Sequence, residues 1–343
     1  MAHRIVLLLA ALPLCLGAAP KGGSSGDPPP VATFSIVAFD PETGDLGVAV
    51  ESRFFAVGSV VPWAQAGVGA LATQSFANTT FGPKGLQLLH GGSSAQETLD
   101  ALLKGDSQRD QRQVGIVDAH GRAATWTGAR CNPWAGGKSG KNYTAQGNIL
   151  TGKEVVAALA ASFEASAGLP LADRLVKALA AGQAAGGDSR GQQSTALLVV
   201  REKGGYGGLN DRYIDLRVDD HPRPIEELQR LLTMQHDTNA YADARFFMDR
   251  GDRERAIRIM ADATRRRISK AGGNDADQGN AYYDLACFYS LAQMPDPALE
   301  NLAKAFRLQP SLIPHARNDT DLDPLREDAR YQALVQDAAP GKP

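Results

Sequence analysis

Cysteine is scarce in this chain: Cys15, Cys131 and Cys287 are its only 3 in 343 residues, too few and too far apart for a disulfide framework to hold a fold together. Aromatic residues are thin as well, at 6%. Charge of one sign is missing, since 36 Lys and Arg stand against 38 Asp and Glu for a formal net charge of -2. Proteins that grip a nucleic-acid backbone show a clustered basic excess, so no nucleic-acid partner is expected. The histidines, His3, His90, His120, His221, His236 and His315, are scattered with no His-x-x-x-His pair, and no metal is expected. Among 36 glycines none builds a Walker-type phosphate loop, and no cofactor is implied. Long apolar runs are lacking too: the run at residues 5–16 contains Pro13 and is too short to cross a bilayer.

That run follows the positive start Met1-Ala2-His3-Arg4 and precedes the small residues Gly17-Ala18-Ala19, which together read as an export signal over residues 1–19. The mature protein is then expected in the periplasm or outside the cell, with no transmembrane segment. Lipid anchoring through Cys15 fits poorly, because Leu14 stands where a lipoprotein signal carries a small residue. Residues 20–32 are rich in Gly, Ser and Pro and read as a flexible linker.

What is present is a mixed pattern. Residues 33–39 and 47–50 are β-rich around the turn-forming Asp40-Pro41-Glu42-Thr43-Gly44, and a second strand pair is expected over 57–64 and 67–73. Residues 82–89 and 95–103 carry helical spacing, with Ser94 placed to cap the second helix. A hairpin over 113–118 and 123–127 follows, then helices over 153–166 and 171–181, then strands at 195–200 and 214–218. This alternation of antiparallel strands and helix pairs favours helices packed on stacked sheets over a parallel β-α-β fold.

Near residue 215 charge becomes denser, and from Pro224 onward nearly everything is helix-compatible: 225–234, 240–250, 253–268, 280–291 and 297–308. Phe246-Phe247 before Ala256, and Phe288-Tyr289 before Ala298, resemble tetratricopeptide helical hairpins, in which small residues allow close helix contact. The acidic residues Asp319, Asp321, Asp323, Glu327 and Asp328 lack the glycine-centred spacing of a calcium loop and read as a solvated face.

Thr33 opens the first strand behind Val31 and Ala32, whose small size is compatible with cleavage there. An amino-terminal threonine is a competent nucleophile because its own α-amine, with a pKa near neutrality, accepts the hydroxyl proton. Ser35 presents a second hydroxyl on the same strand face. Gln146-Gly147-Asn148 offers an amide for an oxyanion, although a turn explains Gly147 equally well. Arg53, Gln74 and Asn78 are candidate pocket polars, and Cys131 stands beside Asn132, Pro133 and Trp134.

The stretch Thr33-Phe34-Ser35-Ile36-Val37-Ala38, Asp40 to Val50, Ser52-Arg53-Phe54 and Val61-Pro62-Trp63-Ala64 resembles the opening of domain-of-unknown-function family 1028. Later segments fit it too: Phe81-Gly82-Pro83, Arg112-Gln113-Val114-Gly115, Cys131-Asn132-Pro133-Trp134, Gln146 to Leu150, Gly186 to Ser194 and Gly207 to Arg212. The resemblance spans roughly residues 33–232. It implies an α+β fold, an αββα four-layer sandwich of the Ntn-hydrolase kind over 33–222; the all-α helical-repeat-like domain expected after it, over 223–337, rests on the helical spacing and the tetratricopeptide-like hairpins. The resemblance implies Thr33 as the matched nucleophile position. By placement it implies Glu51 as a group orienting the amine, and Asp188 with Ser189 as residues bracketing the nucleophile. No lysine falls in 60–74, where proteasome-like relatives carry an activating one.

The expectation is therefore an exported Ntn-type amidohydrolase or peptidase acting on an amide-containing small molecule or peptide. Thr33, Glu51, Asn148, Asp188 and Ser189 would be catalytic, and Arg53, Gln74, Asn78, Cys131 and Trp134 would bind substrate. A protein or cell-wall partner would meet the C-terminal helices. The alternative is a non-catalytic secreted binding or assembly protein on the same scaffold.

Overall fold

Val31 and residues 33–336 are described in the computed structural model of the chain. The expected export signal, Cys15 and nearly all of the linker lie outside the described residues, as does the end of the expected helical domain at 337.

Strands β1 (Thr33–Phe39) and β2 (Leu46–Ser52) form the first hairpin. Its turn is closed by the Asp40 carboxylate, which accepts from the Glu42 N–H at 3.1 Å and the Thr43 hydroxyl at 3.0 Å, an Asx-type turn. After them come β3 (Pro62–Gln65), β4 (Gly69–Ser75), α1 (Phe81–His90) and α2 (Ala95–Lys104). Ser94 and Glu97 cap α2 reciprocally, each side chain bonding the other's backbone N–H. Four further strands, β5 (Arg112–Asp118), β6 (Ala123–Thr127), β7 (Gly136–Gly140) and β8 (Tyr143–Asn148), lead into α3 (Glu154–Ala165) and α4 (Leu171–Ala184). The last strands are β9 (Ser194–Val200) and β10 (Arg212–Val218).

The strands form two antiparallel sheets, ordered β10-β9-β2-β1-β8-β7 and β3-β4-β5-β6. The period of 2 along each strand sends alternate residues to opposite faces. Val37, Val48, Val50 and Leu198 of the first sheet therefore meet Ala70, Ala72 and Val117 of the second. On the reverse face of the first sheet, Phe34, Ile36 and Leu197 pack against Leu159, Phe163, Leu175 and Leu179 of α3 and α4. On the reverse face of the second, Leu71, Val114 and Ile116 pack against Phe81, Leu89, Leu99 and Leu102 of α1 and α2. Each such fully buried side chain contributes about 2 kcal/mol of transfer free energy.

The rest of the described chain is mainly helical: α5 (Pro224–Asp249), α6 (Arg253–Ala271), α7 (Asp275–Leu291), α8 (Pro295–Leu308), the short α9 (Ile313–Ala316) and α10 (Ala329–Gln336). The two helices expected over 225–234 and 240–250 are one helix, α5, because the polar stretch between them holds neither Gly nor Pro to break it. Its first turns bury Ile225, Leu228 and Leu232 in the core under the first sheet. Its later turns bury Ala240, Ala244 and Phe247 in a separate cluster with Met260, Ala263 and Phe288. No helix among the described residues is long and apolar enough to cross a membrane.

Two strand expectations differ from the structure. Residues 57–59 form a single 3-10 turn, so the third strand is confined to Pro62–Gln65. The hairpin β7–β8 has only a faint hydrophobic signature, since β7 reads Gly-Gly-Lys-Ser-Gly and β8 offers only Tyr143 and Ala145 on its apolar face against Thr144, Gln146 and Asn148 on the other, yet β8 is a central strand beside β1. Gly147 lies in that strand rather than in a turn. A Cβ there would come within 2.5 Å of Leu150 Cδ1.

Candidate functional site

The alternation of β1 places Thr33 and Ser35 on the face that looks toward the second sheet. Register then builds a polar row, because Thr33 lies opposite Ser52 on β2 and opposite Asn148 on β8. Ser35 in turn lies opposite Gln146 on β8. The second sheet adds Gln74 from β4 and Gln113 from β5, paired with each other across the strands. All of these side chains are buried.

Burial without partners would be costly, and the bonding between them is dense. The Ser35 hydroxyl donates to Gln74 Oε1 at 2.6 Å and accepts from Gln146 Nε2 at 2.7 Å. Gln74 Nε2 donates to Gln113 Oε1 at 2.9 Å and, more weakly, to the Thr33 carbonyl at 3.4 Å. Asn148 Nδ2 shares the same Gln113 oxygen at 3.0 Å. Gln113 Nε2 is directed at the Gly147 carbonyl at 2.7 Å and the Thr127 hydroxyl at 2.9 Å. Gly115 makes room for this layer, since a Cβ there would sit 2.2 Å from Gln146 Oε1. One acceptor is left over: Asn148 Oδ1 is buried with no partner among the described residues.

Thr33 itself is fully buried. Its hydroxyl donates to the Val31 carbonyl at 2.9 Å and lies 3.3 Å from Ser52 Oγ. Val31 is tied down by Ser75, with Val31 N–H to the Ser75 carbonyl at 2.6 Å and Ser75 N–H to the Val31 carbonyl at 3.0 Å. Ser75 adopts φ +68° and Ile149, directly after Asn148, φ +53°. The left-handed region costs a residue other than glycine about 1–3 kcal/mol, most for the β-branched Ile149, so the backbone at Ser75 and at Ile149, both next to the Thr33 neighbourhood, is held against its local preference. Ile149 is secured from two sides, its N–H bonding the Asn132 carbonyl at 3.1 Å and its carbonyl accepting from Ser189 N–H at 2.9 Å.

The other expected site residues fall in different places. Glu51 lies opposite Phe34, so its carboxyl is on the helix-covered face of the sheet, away from the Thr33 hydroxyl. Both its oxygens are unpartnered among the described residues, and burial, reinforced by the Asp188 charge and opposed by Arg190, raises its pKa well above the usual carboxylate range. Asp188 is buried and accepts from the Arg53 and Arg190 N–H groups at 3.2 and 2.9 Å and from the Arg190 guanidinium at 2.8 Å. Ser189 is exposed beside it. Arg53 is exposed near Gly191, and its guanidinium makes no hydrogen bond or ion pair among the described residues. Cys131 Sγ bonds the Arg112 carbonyl at 3.4 Å, and burial raises its thiol pKa although Ser75 and Gly128 pull the other way.

Asn78 is occupied elsewhere, with Asp106 at 3.1 Å and the Thr80 hydroxyl at 2.8 Å. Trp134 packs against the core on the helix-covered face. Of the expected residues, then, Thr33, Gln74 and Asn148 converge, and Glu51 with Asp188 forms a second group behind them. Reading the sequence missed Gln113, the hub of the layer, and Ser52 as the partner of Thr33. Both are recoverable only from register.

A family model described as a family of unknown function, DUF1028, matches residues 33–228, more than half of the chain. The chain belongs to the DUF1028 family. The DUF1028 region begins at Thr33, takes in both sheets with the whole polar layer, and ends in the first turns of α5. The crystal structure of a Silicibacter pomeroyi protein of the DUF1028 family is similar, with 32% identity and a TM-score of 0.54 over 59% of this chain and 88% of that one. No curated protein matches.

Proposed function

We propose that the DUF1028 region is a four-layer αββα sandwich of the Ntn-hydrolase kind, and that it hydrolyses an amide bond once Thr33 has become the amino terminus. The observation that carries this reading is the buried row Ser52–Thr33–Asn148 with the unpartnered Asn148 Oδ1 at its end. With residues up to 32 removed by cleavage and export, the α-amine of Thr33 accepts the hydroxyl proton and Oγ1 attacks the substrate carbonyl. The C–N bond then breaks, the proton passes to the leaving amine, and water hydrolyses the resulting ester to regenerate the hydroxyl. Asn148 was expected to donate to the oxyanion. Its Nδ2 is already used by Gln113, so the free Oδ1 supports a role as acceptor for the Thr33 amine or for a substrate N–H.

Glu51 and Asp188 lie behind this row, and neither contacts the nucleophile; Asp188 supports it by holding the Arg53 and Arg190 backbone next to Ser52 and Ser189. The helical region, with its α5–α6 and α7–α8 hairpins closed around Ala256, Ala263, Ala286, Ala298 and Ala305, fits tetratricopeptide-like recognition of a protein or cell-wall partner. A second reading, a non-catalytic binding scaffold, is favoured by the Val31–Ser75 pairing that holds the uncut chain over Thr33.

Intact mass and amino-terminal sequencing of the protein from the exported fraction decide between them. A chain starting at Thr33, with amide hydrolysis abolished in Thr33→Ala, is the expected result. An intact 32–33 bond in active protein excludes the α-amine mechanism, and an intact bond with no hydrolysis leaves the scaffold reading.

A further inference from the structure

A well-formed cavity lies away from Thr33. It has a volume of about 580 Å³ and lies between α4, the β1–β2 turn and the helices α5 and α6. Thr43 and Asp45 reach it from the far end of β1 and β2, so a strand length of about 20 Å separates it from the polar row.

Its walls are held by pairs that cross from the sheets and α4 to the helical region. Arg201 bonds Asp45 through two nitrogens at 2.7 Å each and Asp243 of α5 at 3.1 Å. Tyr213 donates to Asp243 at 2.8 Å, and His236 of α5 meets Asp173 of α4 at 3.0 Å. At the rim Arg255 of α6 pairs with Glu42 at 2.7 Å. The lining carboxylates are thereby engaged: Asp45 and Asp243 by Arg201, Asp173 by His236, and Asp262 by Arg265.

Two lining cations are left over. Lys177 of α4 and Arg258 of α6, on opposite walls, make no hydrogen bond or ion pair among the described residues. Between them the wall is apolar, from Leu169, Pro170, Phe247 and Ile259, and Leu169 is 41% exposed although nothing polar recommends that position. A concave space at a domain junction, mostly apolar and flanked by charges that no carboxylate of the described residues occupies, has the composition of a small-molecule site.

We infer that this cleft binds a small organic oxyanion, with Arg258 and Lys177 on the charged group and Leu169, Phe247 and Ile259 on an apolar body. Because the walls belong to the sandwich and to the helical region, the ligand would brace one against the other at a distance from Thr33. The inference is independent of the amidohydrolase reading.

The test is calorimetric titration of the full chain with phenyl phosphate, phenylacetate and uncharged benzyl alcohol, in wild type, Thr33→Ala, Lys177→Gln, Arg258→Gln and the Lys177→Gln/Arg258→Gln double variant. Saturable binding of at least one anion but not of benzyl alcohol is expected, weakened about tenfold for each cation removed and unchanged in Thr33→Ala. Which anion binds more tightly distinguishes a phosphate ester from a carboxylate. Both cations are exposed and unpaired, so the variants should keep the wild-type melting temperature, and the single variants serve if the double one does not fold. No saturable binding by either anion, equal binding of benzyl alcohol, or undiminished binding in the cation variants overturns the inference.

Discussion

The layer between the two sheets is built in two ways. Toward the β1–β2 turn it consists of Val37, Leu46, Val48, Val50, Val117, Leu198 and Val200, side chains with no polar atom to satisfy. Toward the start of β1 the same strands supply Thr33, Ser35, Ser52, Gln74, Gln113, Gln146 and Asn148, buried to the same degree and bonded to one another. The apolar half tolerates any filling of about the right volume. The polar half is exacting, because every lost partner leaves a buried group unbonded, and a chain that maintains such a layer beside two residues in the left-handed region is holding a particular geometry at Thr33.

The sharpest way to break this comparison is at Gln113. Gln113→Ala deprives Gln74, Asn148 and the Gly147 carbonyl of their partner at once, and a stability loss of about 3 kcal/mol in urea unfolding is expected. Val117→Ala, on the same strand in the apolar half, should cost about 2 kcal/mol. Equal losses would mean that the polar half is no more demanding than the apolar one.

Gly115→Ala tests the same layer by overpacking rather than deletion. The new methyl meets Gln146 Oε1, which cannot swing away without breaking its bonds to Ser35 and Thr144, and a loss of about 2 kcal/mol is expected. A melting temperature equal to wild type would show that the amides are loosely placed.

Glu51 offers the contrast of a polar group buried without bonds among the described residues, on the other face of the same strands. Its raised pKa means that the folded protein keeps a proton which the unfolded chain releases above the ordinary 4.5, so its contribution is fully present below that pH and is lost as pH rises through the raised value. Wild-type stability should therefore decline from this group as pH rises above 4.5 toward the raised value. Glu51→Gln should remove that slope and raise the melting temperature at the higher pH by on the order of a few degrees. A slope unchanged in the variant would show that Glu51 is ionised in the fold.

The smallest effect is expected at His236. Burial disfavours its charge, but the Asp173 carboxylate outweighs burial and holds its pKa above the ordinary 6.5. The pair's contribution is present below 6.5 and fades as pH rises through the raised value. In Asp173→Asn an NMR titration should find the imidazole pKa lower than in wild type, with a stability change of less than about 1 kcal/mol at neutral pH. An unshifted titration would mean that the contact is not formed in solution.

How much of this was legible follows from where the signals are. The strands β1, β5 and β9 and the helices α2 and α4 announce themselves through apolar spacing and caps such as Ser94. Thr33, Gln74 and Asn148 were legible as residues worth attention. Gln113 and Ser52 were not, because a buried glutamine or serine looks the same in sequence as an exposed one until its cross-strand neighbours are known. The strand β8 was hidden for a related reason: only Tyr143 and Ala145 carry its apolar alternation, and the side chains at 144, 146 and 148, polar as on a solvent face, are in fact buried among amides and hydroxyls.

Local chemistry in the sequence by itself determined the alternation of antiparallel strands and helix pairs, the helical character of everything after Pro224, and the family to which residues 33–228 belong. These follow from periodicity, capping and ordered motifs, which act over a few residues. Only the tertiary structure decided which polar groups meet. Strand register put Ser52 and Asn148 on either side of Thr33, parity turned Glu51 to the opposite face, and the docking of α5 and α6 on the β1–β2 turn made the charged cleft. Those outcomes depend on pairings between residues tens to hundreds of positions apart, and no local pattern in the chain encodes them.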